Sequence, residues 1–409
     1  MELKDFLLRL KELGGSDMHV TAGLLPAVRV FDELLRLRDM EKPTPEQMRE
    51  MIYPLLSPEE IKRFESDPEL RFELDFARGI PELGRFRFNL HRQRGSLAVT
   101  IRALPTEAPS LASLGLPEVI ADFVWVRRGL LLLTGAARSG LSTTLAALVN
   151  EINGQRPARI MTIEDPVEYI LQSEQAWVTQ REVGDGADTV SLENALRHAR
   201  RQDLDVLMIS NLTRYETMRL ALELAETGLF VIAGMPTTSA IQTLTRLIES
   251  FPSEQRAQIF ALLSGNLVGV LSQVLLPRKN RKGRVVACEV MKVNTLIRSE
   301  IRSGKLQNLH TIIQSDTTGD NQTMDAALID LARQGLIDYT TAKPYIRDEA
   351  SHRMIHQLSG GLRDGAGSPG ANDTHPDGLR TGRPPSSASD STSRRRLGTT
   401  VIPPWEKKK

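Results

Sequence analysis

Two hydrophobic rhythms divide the chain. Up to about residue 105, apolar and polar positions alternate in "SDMHVTAG", "AVRVFDELLRL", "LRFELDFAR" and "GRFRFNLHRQRGSLAVTIRALP". A period of two sends one side chain inward and the next outward, which predicts paired strands, with hairpin breaks at Gly84 and Gly95. The opening "MELKDFLLRLKELGG" and the polar stretch from about Thr44 to Glu65 have helical spacing instead. Together they predict a small α+β domain over residues 1–105. The next segment, "TEAPSLASLGLPEVI", is rich in Pro, Ser and Gly and reads as a hinge or linker covering 106–128.

From Gly129 the rhythm changes. "LLLLTG", "RIMTIED", "DVLMIS" and "LFVIAGMP" are continuous apolar runs separated by helix-length segments. Strands covered on both faces read this way, so the pattern predicts an α/β domain with a parallel sheet over 129–357. Ligands of such sheets lie at the carboxyl ends of the strands. A helical region is expected to follow, to about Gln357. It includes "FALLSGNLVGVLSQVLL" from Phe260 to Leu276, which contains Ser264, Asn266, Ser272 and Gln273. That run is short and polar for a membrane span and reads as a buried helix, so no transmembrane segment is expected. From about residue 358 to 409 the composition turns to Gly, Pro and Ser, which predicts a disordered tail. Its end, "VIPPWEKKK", reads either as a docking peptide or as a solvated terminus.

Composition narrows the class without naming a function. The 409 residues suit two domains with appendages. With 52 basic and 51 acidic residues, the total charge makes no case for nucleic acid or an anionic membrane as partner. The single cysteine, Cys288, excludes an intramolecular disulfide and a cysteine-based zinc site, and fits a cytoplasmic address. The charged N-terminus is unlike a signal peptide.

One stretch carries recognisable chemistry: "GAARSGLSTT", behind the run "GLLLLT" and ahead of "LAALVNEIN". Strand, glycine turn, hydroxyl pair and helix form the layout of a phosphate-binding loop. Its nucleotide-binding candidates are Gly135, Ala136, Ala137, Arg138, Ser139, Gly140, Leu141, Ser142 and Thr143. In such loops backbone N–H groups cradle the phosphates of ATP, a lysine meets the β- and γ-phosphates, and the next hydroxyl reaches Mg²⁺. Ser142 would be that metal ligand. Leu141 stands where the lysine belongs, and it neither donates a hydrogen bond nor balances phosphate charge.

Further ordered segments extend the pattern: "TIEDPVEY", "QREVG", "ETMRLALELAETG", "TTSAIQTLTRLIESFP", "LVGVLSQVLLPR", "IRSEIRSGK" and "QTMDAALIDLARQGLID". With "GSDMHVTAG" and "GRFRFNLHRQRGS", they make residues 1 to about 350 resemble the PilT/PilU retraction ATPases of type IV pili, within the type II/IV secretion ATPase superfamily. The resemblance implies a PAS-like α+β domain followed by a RecA-like P-loop NTPase domain. It further implies a hexameric ring, with ATP and Mg²⁺ held between the domains, acting at an inner-membrane pilus platform protein and thus peripheral to that membrane.

The chain departs from that family where charge matters. Besides Leu141, the position of the family's Walker B glutamate holds Asn211, after Ser210, and an adjacent Arg-Asp pair has become Thr213 and Arg214. The two histidine-box positions hold Leu229 and Pro236. Asp203 and Asp205 precede their strand, at the end away from the phosphates. Glu164, beside Asp165, is the one retained catalytic candidate, able to orient water or to be an ordinary strand-end acid. Arg138 stands where the family has glycine and reads as a surrogate cation or as an outward-facing side chain. Arg87, Arg94 and Arg102 read as phosphate-contacting or as ordinary surface partners. Ile297, Arg298, Ile301 and Arg302 partly match a family helix expected to face the machine.

Three functions fit these residues. One is a pseudo-ATPase serving as a structural or regulatory ring subunit, in a homo- or hetero-hexamer with PilT-like subunits, with ATP and Mg²⁺ binding weak or absent. Another is a weak ATPase working with Arg138 and Glu164. The third is a nucleotide-binding sensor without turnover.

Overall fold

The alternating first hundred residues build an antiparallel sheet with one apolar face. Its strands are β1 (Asp17–Thr21), β2 (Ala27–Val30), β3 (Glu33–Arg36), β4 (Glu73–Ile80), β5 (Gly84–Gln93) and β6 (Ser96–Leu104), in the order β3-β2-β1-β6-β5-β4. This computed structural model describes residues 2–30, 33–66, 72–104, 107–184, 187–280 and 282–359. The expected tail and its "VIPPWEKKK" end lie, from residue 360 on, outside the described residues. Met18, Val20, Val28, Phe88, Leu90, Val99 and Ile101 fill one face and are buried with Phe6, Leu7, Leu10, Met48 and Ile52 of the helices Leu3–Glu12 and Pro45–Ile52. Each such large side chain contributes about 2 kcal/mol by leaving water. Asp17, His19, Thr100, Arg102, Arg87 and Asn89 occupy cross-strand positions of the opposite face.

The apolar runs form a second, seven-stranded sheet, in the order β13-β12-β7-β11-β10-β8-β9. The strands are β7 (Gly129–Thr134), β8 (Arg159–Glu164), β9 (Trp177–Glu182), β10 (Val206–Ile209), β11 (Phe230–Met235), β12 (Leu267–Pro277) and β13 (Arg284–Lys292). All neighbouring pairs are parallel except β12 with β13. Every residue of β7, β10 and β11 is buried, as expected for strands under helices on both sides. The chain is an α/β protein. Burial also pushes the Cys288 thiol on β13 up to about 12.

Two expectations need correction. The run Phe260–Leu276 is not one helix: the helix Arg256–Asn266 ends and β12 begins at Leu267. A continuous apolar run has no period to separate the two states, and β12 takes its place beside β7 through backbone hydrogen bonds. The region before Gln357 therefore contains two strands as well as helices. The segment read as a hinge holds the 3₁₀ helices Leu111–Leu114 and Glu118–Trp125, whose Leu111, Ile120, Phe123 and Val124 are buried with Leu131 and Leu133 of β7. In the helix Thr295–Arg302, Ile297 and Ile301 are fully buried, while Arg302 is exposed and the half-buried Arg298 donates to the carbonyls of Ser264 and Gly265 (2.9 Å to the latter). Arg302 Nε reaches Ser264 Oγ at 3.4 Å. Cations at the carboxyl end of a helix satisfy its last carbonyls.

Among the described residues, no helix is long and apolar enough to cross a membrane.

Candidate functional site

The loop 135–140 connects the carboxyl end of β7 to the helix Leu141–Gln155, placing it where parallel sheets receive ligands. Its shape depends on close packing. Gly135 N–H donates to the Met235 carbonyl at 3.2 Å, and Ser139 N–H to Ala136 at 3.1 Å. A Cβ on Gly135 would lie 2.3 Å from Ser139 Oγ and 2.8 Å from the Gln273 carbonyl. From β12, Gln273 Nε2 donates to the Ser139 carbonyl at 2.9 Å and holds the turn from beneath. Ser139 Oγ and Gln273 Oε1 are buried without a hydrogen-bond partner. Gly140 has φ +85° and Arg138 φ +67°; the latter is a strained conformation for a residue with a Cβ.

The lysine's replacement faces inward. Leu141 is half-buried against the apolar cluster that includes Leu133, Leu145 and Leu271. The two hydroxyls that follow are both engaged by one segment, residues 165–171. Ser142 Oγ donates to Glu168 Oε1 at 3.1 Å, and Thr143 Oγ1 pairs with Tyr169 OH at 2.8 Å. Sequence reasoning quoted "TIEDPVEY" for Glu164 and Asp165 but assigned nothing to Glu168 or Tyr169. The same motif, four and five positions on, was the available signal.

Glu164 ends β8 and is buried rather than exposed. Its Oε1 accepts from Thr162 Oγ1 at 2.7 Å and from Gln180 Nε2 at 3.0 Å. Burial holds its carboxyl above the ordinary glutamate range, and the nearby Glu168 adds to the rise, while these hydrogen bonds oppose it. Burial likewise raises the Tyr169 phenol.

The sequence profile of the family described as type II/IV secretion system protein matches residues 92–362. The chain is 36% identical over 343 residues to the type IV pilus retraction ATPase PilT of Pseudomonas aeruginosa, covering 84% of this chain and 97% of that protein. It is also 36% identical over 358 residues to the type IV pilus ATPase PilU of the same organism, covering 88% and 92%. The chain is a PilT/PilU-like member of this family. A crystal structure of the pilus retraction motor PilT with bound ADP superposes with a TM-score of 0.79 at 38% identity, covering 86% of this chain and 98% of that one. The Legionella pneumophila ATPase DotB, at 22% identity and a TM-score of 0.70, shares the fold.

Not all the PilT/PilU-like motif positions come together. Asn211, exposed just past β10, and Pro236, exposed just past β11, lie at the same sheet end as the loop. Leu229 does not. It precedes β11, and its carbonyl accepts from Gly129 N–H at 3.0 Å, at the start of β7. A six-residue strand separates it from Pro236 by about 20 Å. Its replacement therefore bears on the amino end of the sheet, and within this chain it is no phosphate sensor beside the loop. The family resemblance placed both histidine-box positions in one motif, but the strand Phe230–Met235 lies between them.

The three arginines lie on the other sheet. Arg102 binds Asp17 at 2.8 Å, Arg87 lies 3.8 Å from Asp75, and Arg94 sits in the β5–β6 turn with φ +51°. Arg87 lines a cleft of about 580 Å³ with Arg78, Asp165 and Glu182, between the two sheets. Neither Asp17 nor Asp75 belongs to the loop. Arg246, which the motifs did not single out, donates to the Pro236 carbonyl at 3.3 Å.

The backbone turn has the form that receives a phosphate, while its side chains depart from the charged set that such loops carry. Arg138 is the one basic residue in 135–143, and it is exposed in a strained conformation. The Ser142 hydroxyl bonds to a carboxylate, and Asn211 supplies no negative charge for a metal.

Proposed function

We propose that this chain is a pilus-motor homologue that does not turn over ATP and acts as a structural or regulatory subunit of a retraction ring. The ring is homomeric or mixed with an intact PilT-like subunit, bears on an inner-membrane platform protein, and serves a type IV pilus and its twitching motility. One observation carries the reading. Leu141 packs half-buried against the core where a phosphate loop carries its lysine, and Asn211 at the same sheet end carries no charge, so the site lacks both the cation for a phosphate and the Walker B carboxylate. Removing one preorganised charge-stabilising donor costs about 10²–10³ in rate; here the cation, the Walker B carboxylate and the Pro236 donor are all missing.

The test is hydrolysis by the purified full chain at saturating Mg-ATP, beside Arg138→Ala and Glu164→Gln. Background rates in all three are expected. Turnover that either substitution abolishes would establish the weak-ATPase alternative instead. Tight binding of a non-hydrolysable analogue at background turnover would identify a nucleotide sensor. Co-purification with a PilT-like subunit tests the ring.

A further inference from the structure

A continuous set of contacts joins the six-stranded sheet to the hydroxyls of the loop. Arg85 Nη2 on β5 reaches Glu182 Oε2 at the end of β9 at 2.5 Å. The same oxygen accepts from Val167 N–H at 3.0 Å. Val167 lies in the segment whose next two side chains, Glu168 and Tyr169, hold Ser142 and Thr143. Gln180 secures the far end of that segment. Its Oε1 accepts from Leu171 N–H, and its Nε2 donates to the Tyr169 carbonyl, both at 2.8 Å.

We infer that residues 165–171 are a strap over the loop, and that Arg85 and Glu182 are positioning residues that latch it shut against polyphosphate. This rests on the reading of 135–143 as a phosphate-type loop, not on the absence of turnover. A polyphosphate entering the turn without a bridging metal meets the Glu168 carboxylate, a like charge at the hydroxyl, so metal-free binding requires the strap to move. Moving the strap withdraws Val167 from Glu182 and loosens the hold of Glu182 on Arg85. The latch is itself incomplete: Arg85 Nε is buried without a hydrogen-bond partner, so one guanidinium donor is unsatisfied while the strap is closed. Because coupling is reciprocal, a group that holds the strap closed weakens polyphosphate binding by the same factor by which polyphosphate weakens the latch.

The experiment uses the full chain and Arg85→Ala, with Arg85→Lys as the conservative variant. Amide hydrogen exchange over 165–171 and the affinity of a fluorescent non-hydrolysable ATP analogue are both measured with divalent metal removed by chelation. Arg85→Ala is expected to exchange about tenfold faster in the strap, with the helix Leu3–Glu12 unchanged, and to bind the analogue about tenfold more tightly. Arg85→Lys, which keeps the charge and one donor, restores part of both. Unchanged strap exchange, or an affinity no higher than that of the parent chain, overturns the latch. Hydrolysis is not among these readouts, so the proposed lack of turnover stands or falls separately.

Discussion

Thr143 Oγ1 and Tyr169 OH lie 2.8 Å apart, joining the first turn of the helix after the loop to a segment 26 residues later in sequence. Tyr169 is buried, so its hydroxyl has little access to water. Tyr169→Phe removes one partner and leaves the Thr143 hydroxyl to find another. A loss of about 1 kcal/mol is expected from urea denaturation of the two proteins.

Arg138 has φ +67°, where an L-residue with a Cβ is strained and glycine is not. Arg138→Gly relieves that strain, partly offset by the greater freedom of glycine in the unfolded chain. The net gain is about 1 kcal/mol, read as a higher thermal midpoint. A drop in the midpoint would show that the guanidinium has a stabilising partner in solution.

Leu141→Lys places a cation at the head of the helix. Analogue affinity is expected to rise about tenfold, since a charge-assisted contact to phosphate contributes about 1.5 kcal/mol or more. Hydrolysis stays at background, because Asn211 still supplies no carboxylate. Titration of the analogue alongside a phosphate-release assay checks both halves.

Glu164 gives a pH dependence of defined sign. Burial holds its folded-state carboxyl above the ordinary value. Well below the ordinary glutamate range it is protonated in both folded and unfolded chains and contributes fully. As pH rises the unfolded chain ionises first, and the contribution is lost up to the folded-state value. Glu164→Gln has no such titration and keeps an oxygen for Thr162 and Gln180. Its stability relative to the parent should therefore increase from about pH 4 to about pH 7 in a series of urea midpoints. A constant difference across that range contradicts the assignment.

Glu289 on β13 is buried and accepts from Ala240 N–H at 2.6 Å, while its other oxygen binds Arg347. Arg347 also donates to the Thr238 carbonyl at 2.7 Å, linking the chain before the last described helix to the loop after β11. Glu289→Ala leaves the Ala240 donor and the Arg347 charge without this acceptor. It should cost about 2 kcal/mol, and Glu289→Gln about half that, in the same denaturation assay.

The change of hydrophobic rhythm at Gly129 was legible without coordinates. A period of two and continuous apolar runs impose different burial, and so require different sheets. The loop after β7 and its missing lysine were equally legible, because that chemistry is local: glycine, hydroxyl and cation sit within ten positions. Where an apolar run lacked a period, as from Phe260 to Leu276, helix and strand remained indistinguishable until β7 provided hydrogen bonds to one half of it. The family resemblance grouped Leu229 with Pro236, yet the length of β11 sets them at opposite ends of the sheet. Nothing in the sequence pairs Ser142 with Glu168, or Arg85 with Glu182, which lies 97 residues away. Those pairings arise because the sheet order sets β8 and β9 beside each other at its edge, where the strap between them can reach both the loop and the other sheet. Local chemistry can be read from residue order, but which charge faces the phosphate cradle is decided by the fold.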